Sequence, residues 1–332
     1  MQTGAGLLGN FFLLCHCAST FLSRSRMRPK DSIYFHLALA NSIMLISKGV
    51  PQTLFGLEPK NFLNHIECRL ITFLHRVGHS LSLNNTCLLS GFQIITLNPF
   101  TCSLLSELKT HASIYIFPIC LCSWIFHILL NSYILVNLKT IIISNNTRIW
   151  NLGFCFHYAS TSFTETLFIA VYSVTDFLCV GFMVIVNGYL VLFLHRHHQQ
   201  VQHLHSSSQL SRKSSEIRAT YTILVLVSTY ISFYSVNSIL ALYLSSFSKH
   251  NQWMIPISAF LNACYSAISP FVLINSDSQI LHFFYSFWGK RVPQDPLFFG
   301  CSTAPNSISI FTKRNLSVAH ESRSENNRIQ EL

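Results

Sequence analysis

Four ionisable side chains, Lys48, Arg76, Glu165 and Asp176, stand inside otherwise apolar runs of the sequence. A charge held in hydrocarbon costs about 2.5–3.5 kcal/mol on insertion scales, so residues of this kind mark a ligand site, an ion path or an interhelical pair. His75 and His79 are four apart, which puts both rings on one helix face where they can hydrogen-bond a small ligand. At 1.5 Å per helical residue Arg76 falls about 12 Å below Cys68, and Asp176 about 16 Å below Glu165. Opposite sign and similar depth predict a pair between Arg76 and Asp176 or Glu165. These six residues are the candidates for ligand contact, and the structural alternative is that they hold helices to one another. Asn84, Asn85, Thr86 and Ser90 read instead as polar contacts between helices.

Other constellations lead nowhere. Gly4-Ala5-Gly6-Leu7-Leu8-Gly9, with Asp31 further on, spells a dinucleotide-binding fingerprint, but that motif needs a preceding strand and only three residues stand there. Close helix packing by small residues is the better account. His195, His197, His198, His203 and His205 have no Cys or carboxylate at a zinc-site spacing, and read as a solvated basic face. Cys15-His16-Cys17 and Cys120-Leu121-Cys122 lack the two-residue spacer of redox and zinc motifs. With no nucleophile, base and orienter set, no metal site and no phosphate loop, neither an enzyme nor a cofactor is expected.

The elements that position these residues follow from composition. Of 332 residues, 50% are hydrophobic and only 10% charged, against about 25% charged in soluble domains. Mean hydropathy is +0.40. This excludes a soluble enzyme, a secreted disulfide scaffold and a disordered chain. The net charge of +10 sits in short basic clusters between apolar runs, a membrane-loop pattern that does not point to nucleic acid. The 11 cysteines are odd in number and several lie within apolar runs, where they read as small buried hydrophobes.

The runs predict an all-α membrane protein, a seven-transmembrane-helix bundle over residues 1–285. Its spans are approximately 4–23, 33–55, 69–96, 114–137, 162–194, 219–244 and 252–275. None alternates as barrel strands do. Residues 286–332 are expected to form a disordered cytosolic tail. Arg24, Arg26, Arg28 and Lys30, then Lys109, then Arg196, Arg212, Lys213 and Arg218, and finally Lys290 and Arg291, crowd one set of loops. The positive-inside effect therefore puts the amino terminus outside and the carboxyl terminus in the cytosol. The sequon at Asn145 falls outside and is expected to carry a glycan, whereas those at Asn84 and Asn315 do not reach that compartment. Cys68 and Cys155 also fall outside, where a disulfide is chemically allowed. A cleavable signal around Leu7–Leu14 is disfavoured by the missing basic n-region.

A string of motifs narrows the class. Gln2-Thr3-Gly4-Ala5-Gly6 runs on to Leu8-Gly9-Asn10. His36-Leu37-Ala38-Leu39-Ala40-Asn41-Ser42 leads to Ser47-Lys48-Gly49-Val50-Pro51-Gln52-Thr53. His75-Arg76-Val77-Gly78 is followed by Thr86-Cys87-Leu88-Leu89-Ser90-Gly91-Phe92-Gln93, and Arg218-Ala219-Thr220 and Ser269-Pro270-Phe271-Val272-Leu273-Ile274 close the series. In this order they resemble the vomeronasal type 1 receptors, pheromone receptors of the G-protein-coupled class, over roughly residues 2–285. That resemblance implies a multi-pass protein of the plasma membrane with a small-molecule, pheromone-like ligand, an inhibitory-type heterotrimeric G protein inside, and membrane lipid around it. Asn98 and Pro99 at the end of the third span, with Arg196 and Arg218 flanking the third inner loop, are the residues expected to face the G protein.

The sequence also departs from the family pattern. The acidic-Arg-Tyr triplet of rhodopsin-like receptors is here Phe92-Gln93-Ile94, as in the vomeronasal pattern. Where the family has Phe-Pro-Asp and Trp-Ala-Ser-Gly, this chain has Val174-Thr175-Asp176 and Ile185-Val186-Asn187-Gly188. Family members carry residues ahead of Gln2, so a shortened first helix, and with it a partial or non-signalling receptor, is one expectation. A bitter-taste-type receptor is the nearest alternative of the same fold. A transporter or channel is the alternative from another class, and no inverted repeat supports it.

Overall fold

A computed structural model of the chain describes residues 1–23, 28–57, 65–97, 103–137, 149–151, 156–158, 163–201, 210–246 and 254–287. All of them lie in one compact unit, Met1–Lys290. The expected tail beyond Phe287, with Asn98, Pro99, Asn145 and Cys155, lies outside the described residues.

The elements are α1 (Gln2–Ser23), α2 (Pro29–Met44), a π-helical turn (Leu45–Gly49), α3 (Val50–Leu57), α4 (His65–Leu97) and α5 (Ser103–Asn137). Strands β1 (Ile149–Asn151) and β2 (Phe156–Tyr158) follow, then α6 (Phe163–Val201), α7 (Leu210–Ser246), α8 (Met254–Ser276) and α9 (Ser278–Phe287). Pro29 opens α2 at the position where its missing N–H is harmless. Pro51 stands one turn into the continuation of that helix, and its ring would clash with the carbonyl of Ser47 in a regular helix. The wider π turn that carries Lys48 lies directly before it and takes up the misfit.

The fold is helical, with one departure from an all-α chain. The two three-residue strands pair antiparallel, Trp150 opposite His157. Among the described residues, five segments are long and apolar enough to cross a bilayer: Gln2–Ser23, Pro29–Thr53, Ile114–Val136, Ala170–Arg196 and Thr220–Leu240. Two expected spans, within α4 and α8, fall outside this set. For α4 the reason is visible. It packs against α2, α5, α6 and α7, and Ser82, Asn85, Thr86 and Ser90 are at most 2% exposed. A helix enclosed by other helices needs no apolar surface of its own. The outer helices invert the pattern: α5 turns Ile125, Phe126 and Leu129 outward and buries His127 and Asn131, as a hydrocarbon solvent requires. The first helix, expected to be marginal, is 22 residues long, about 33 Å at 1.5 Å per residue.

Between α1 and α8 the small residues of the opening motif are used. A Cβ at Gly6 would come within 2.8 Å of Ala267 Cα, and one at Gly9 within 2.9 Å of the Pro270 ring, whereas nothing lies within 4 Å of Gly4. Gly78 on α4 is equally close to the α2 backbone, 3.0 Å from the Ala40 carbonyl. Close backbone approach of this kind is what holds helices together where lipid removes the hydrophobic drive.

Helix α9, absent from the sequence reading, begins at a cap. Asp277 Oδ1 accepts the Gln279 N–H at 3.0 Å, and its carboxylate forms an ion pair with Lys30 at the start of α2. Arg28 donates to the Gln279 side chain. Phe283 and Phe284 then pack on Phe12 of α1, with ring centroids 5.4 and 5.1 Å apart. Burial pushes the Asp277 carboxyl up, but the Lys30 ammonium and the Gln279 N–H together hold it below the usual carboxylate value. Its stabilisation is therefore present above the ordinary carboxylate range and is lost as pH falls through the lowered value.

Two outcomes are expected from thermal unfolding of purified protein in lipid nanodiscs. Gly6→Val lowers stability by about 1–3 kcal/mol through overpacking, while Gly4→Ala leaves it unchanged or raises it by up to about 1 kcal/mol. Asp277→Asn costs up to about 1 kcal/mol at neutral pH and flattens the loss of stability on acidification.

Candidate functional site

A small cleft, part of it open to its surroundings, lies between α2, α4, α7 and α8. Its wall is aromatic. Tyr230 stacks on Tyr234 of the same helix at 6.0 Å, and meets Tyr265 of α8 edge-on at 4.6 Å. Polar groups interrupt that wall. The buried His79 Nδ1 and Tyr230 hydroxyl have no hydrogen-bond partner among the described residues, and Asn237 Oδ1 accepts a bond from Ser258 at 2.9 Å. An apolar wall with a few unpaired polar atoms suits a mostly apolar molecule bearing one or two hydrogen-bonding groups.

Of the six candidates for ligand contact, His79 lines the cleft. His75 stands just behind it: its Nε2 meets Asn262 Nδ2, a cleft residue, at 3.3 Å. Arg76 follows His75 in the chain, but successive helical residues are turned by about 100°, and it faces α6. Its guanidinium lies 4.8 Å from the centroid of the Tyr172 ring, and Tyr172 in turn donates to the Leu130 carbonyl of α5 at 2.9 Å. Asp176 is one turn further along α6 and 7% exposed.

No salt bridge within 4.0 Å joins Arg76 to Asp176, although the Arg76 charge acts on that carboxyl. In place of the expected pair with Asp176, Arg76 makes a cation–π contact with Tyr172; the alternative pair with Glu165 falls on a side chain outside the described ones. Lys48, on the π turn, has no ion-pair partner among the described residues, and its charge acts on both His75 and His79. Glu165 lies in α6 and Arg218 in α7, but their side chains are outside the described ones. Arg196 is exposed near the end of α6. Cys68 is buried and disulfide-bonded, while Cys155 lies outside the described residues.

Below the cleft a chain of hydrogen bonds links the same helices. Thr86 and Tyr265 share a hydroxyl–hydroxyl bond of 2.6 Å. Ser82 donates to Asn41 Oδ1 at 2.7 Å, and Asn41 Nδ2 donates to Ser269 at 2.9 Å. Asn10 of α1 donates to the Ser266 carbonyl at 2.9 Å. Further along α4, Gln93 Nε2 donates to Thr220 Oγ1 of α7 at 2.9 Å, both side chains being buried. Sequence reasoning missed the tyrosines, Asn237, Asn262 and Thr220. Tyr230, Tyr234 and Asn237 do follow helical spacing, but such a stripe ordinarily marks plain core.

The sequence matches the model of the vomeronasal organ pheromone receptor family over residues 1–286. It is 42% identical over 287 residues to vomeronasal type-1 receptor 1 of Homo sapiens, covering 86% of this chain and 81% of that one. Similarity to vomeronasal type-1 receptor 3 of Homo sapiens is 39% over 282 residues, covering 84% and 89%. The olfactory receptor class A-like protein 1 of Danio rerio is 30% identical over 283 residues, covering 84% and 88%.

A double-mutant cycle between Arg76→Met and Tyr172→Leu, read by thermal unfolding in nanodiscs, is expected to show coupling of about 0.5–2 kcal/mol. The corresponding Arg76→Met and Asp176→Asn cycle is expected to couple more weakly. The reverse ranking would restore the direct ion pair.

Proposed function

Because the chain belongs to the vomeronasal type-1 receptor family, we propose that it is a seven-helix chemosensory receptor that binds a small pheromone-like ligand in the α2–α4–α7–α8 cleft and activates an inhibitory-type heterotrimeric G protein. The family is one of multi-pass receptors of the plasma membrane, not of enzymes. In this reading the amino terminus is outside, Cys68 pairs with Cys155, and Asn145 carries a glycan. Lys48, Glu165 and Asp176 supply the charge environment around the ligand chamber, while Asn98, Pro99, Arg196 and Arg218 lie on the G-protein side.

One observation carries the signalling mechanism: the cleft and the Gln93–Thr220 bond are built on the same two helices. Tyr230, Tyr234 and Asn237 of α7 face the ligand chamber opposite His79 and Ser82 of α4. Thr220 and Gln93 close the same helix pair toward its other end. A ligand that fits better when α4 and α7 are displaced shifts the population toward a state in which that bond is broken. Ligand and G protein then favour the same arrangement and raise each other's affinity.

Cells displaying the chain at matched surface levels test this reading. Gln93→Ala is expected to raise basal, pertussis-toxin-sensitive signalling several-fold, and Asn237→Trp to abolish the response to an agonist found by screening without lowering display. Asn145→Gln is expected to remove the endoglycosidase-sensitive mass shift. Unchanged basal signalling in Gln93→Ala would sink the latch. Failure of the displayed wild type to couple to any G protein would sink the receptor reading.

A further inference from the structure

Two side-chain amides line the cleft, Asn237 of α7 and Asn262 of α8. Each has one arm held and one arm open. Ser258 of α8 donates to Asn237 Oδ1 at 2.9 Å. The Nδ2 donors of Asn237 are then left without a partner among the described residues. Asn262 Nδ2 meets His75 Nε2 of α4 at 3.3 Å. An amide nitrogen only donates, so the ring nitrogen accepts, and the Asn262 carbonyl oxygen is the arm left open. The two amides thus face the cleft with opposite ends, a donor from α7 and an acceptor from α8. Each is held in that sense by a side chain of another helix.

Their spacing selects among ligand head groups. Ser258 and Asn262 are four residues apart on α8, so they share a face and stand about 6 Å apart along its axis. Asn237, bonded to Ser258, therefore presents its donor about one α8 turn from the Asn262 acceptor. A hydroxyl that accepts from one amide and donates to the other spans only about 4.5 Å, two bonds of about 2.8 Å meeting at a tetrahedral oxygen. A ketone has no donor and leaves Asn262 unpaired, which is costly in a site closed to water. A carboxylate also lacks the donor and brings a charge. A carboxamide carries its acceptor and donor on separate atoms, is neutral, and completes both bonds. Tyr234 lies one turn and Tyr230 two turns before Asn237 on α7, with Tyr265 edge-on to Tyr230 at 4.6 Å. Those rings offer an apolar seat beside the amide pair.

We propose that Asn237 and Asn262 recognise a ligand with a carboxamide head group, whose carbonyl accepts from Asn237 Nδ2 and whose N–H donates to Asn262 Oδ1, its apolar body lying against Tyr230, Tyr234 and Tyr265. This deepens the receptor reading and rests on the same cleft. Ser258 and His75 are positioning residues: they fix which end of each amide meets the ligand.

The test uses the full chain in lipid nanodiscs and three probes of one shape: isobutyramide, methyl isopropyl ketone, and the alcohol obtained by reducing that ketone. Dissociation constants come from ligand-observed NMR titration, with empty nanodiscs subtracted for lipid partition. The amide is expected to bind at least about tenfold tighter than either of the others. Asn237→Leu and Asn262→Leu are each expected to erase that preference. Ser258→Ala is expected to shrink it while leaving ketone binding unchanged, because it frees the Asn237 amide to turn without removing it. Equal binding of the three probes, or an amide preference that survives both leucine variants, overturns the proposal and leaves the cleft as a ligand site. Binding of no probe, or binding untouched by Asn237→Trp, overturns the cleft reading and the proposal together. The wild-type comparison needs no variant to fold, and it reads binding without any G protein.

Discussion

The side-chain amide of Asn41 holds three helices at one point. Its oxygen accepts from Ser82 of α4 and its nitrogen donates to Ser269 of α8, all from a position 1% exposed on α2. Within a bilayer there is no hydrophobic reward for bringing one apolar helix against another, since lipid tails are as apolar as leucine. Association then depends on close backbone approach and on polar groups that have nowhere else to bond. Asn41 supplies the second requirement. The glycines at 6, 9 and 78 supply the first, each where an added Cβ would strike the neighbouring helix. The other interhelical bonds are built around these contacts.

Helix α4 is the element most dependent on that arrangement. It is 33 residues long, about 50 Å, and most of its length is enclosed by protein. Its polar residues bond to α2 through Ser82, to α5 through Asn84, to α8 through Thr86 and to α7 through Gln93. A change at the cleft end of α4 therefore alters bonds to several neighbours at once. In the proposed receptor mechanism, this is how a ligand among Tyr230, Tyr234 and His79 would affect the Gln93–Thr220 bond further along the same helix.

The charged groups show the same economy. Arg76 is accommodated by stacking on the Tyr172 ring, whose hydroxyl is anchored on the α5 backbone, with no ion pair among the described residues. On the α9 side, Lys30 and Asp277 pair at the end of α8, and the aromatic face of α9 settles on α1. The contrast follows from surroundings. A cation facing an aromatic wall keeps an electrostatic partner with little desolvation, whereas a carboxylate at a helix start gains both a backbone N–H and a counter-ion.

Residue types alone determined the membrane class, the positions of most helices and the packing role of the first glycines. Apolar run length and charge scarcity are local properties, and a small residue that permits close approach does so wherever a neighbour is. The family motifs were legible for the same reason: they are strings. Only tertiary structure decided which of the chemically able residues meet. His75 and Arg76 are adjacent in sequence yet face α8 and α6, because one helical step turns them by about 100°. Asp176 and Arg76 have the signs for an ion pair, and Tyr172 stands where the pair would form. Tyr230 and Asn237 of α7 and Asn262 and Tyr265 of α8 carry no mark in the sequence that sets them apart, and only the meeting of the two helices brings them to one cleft.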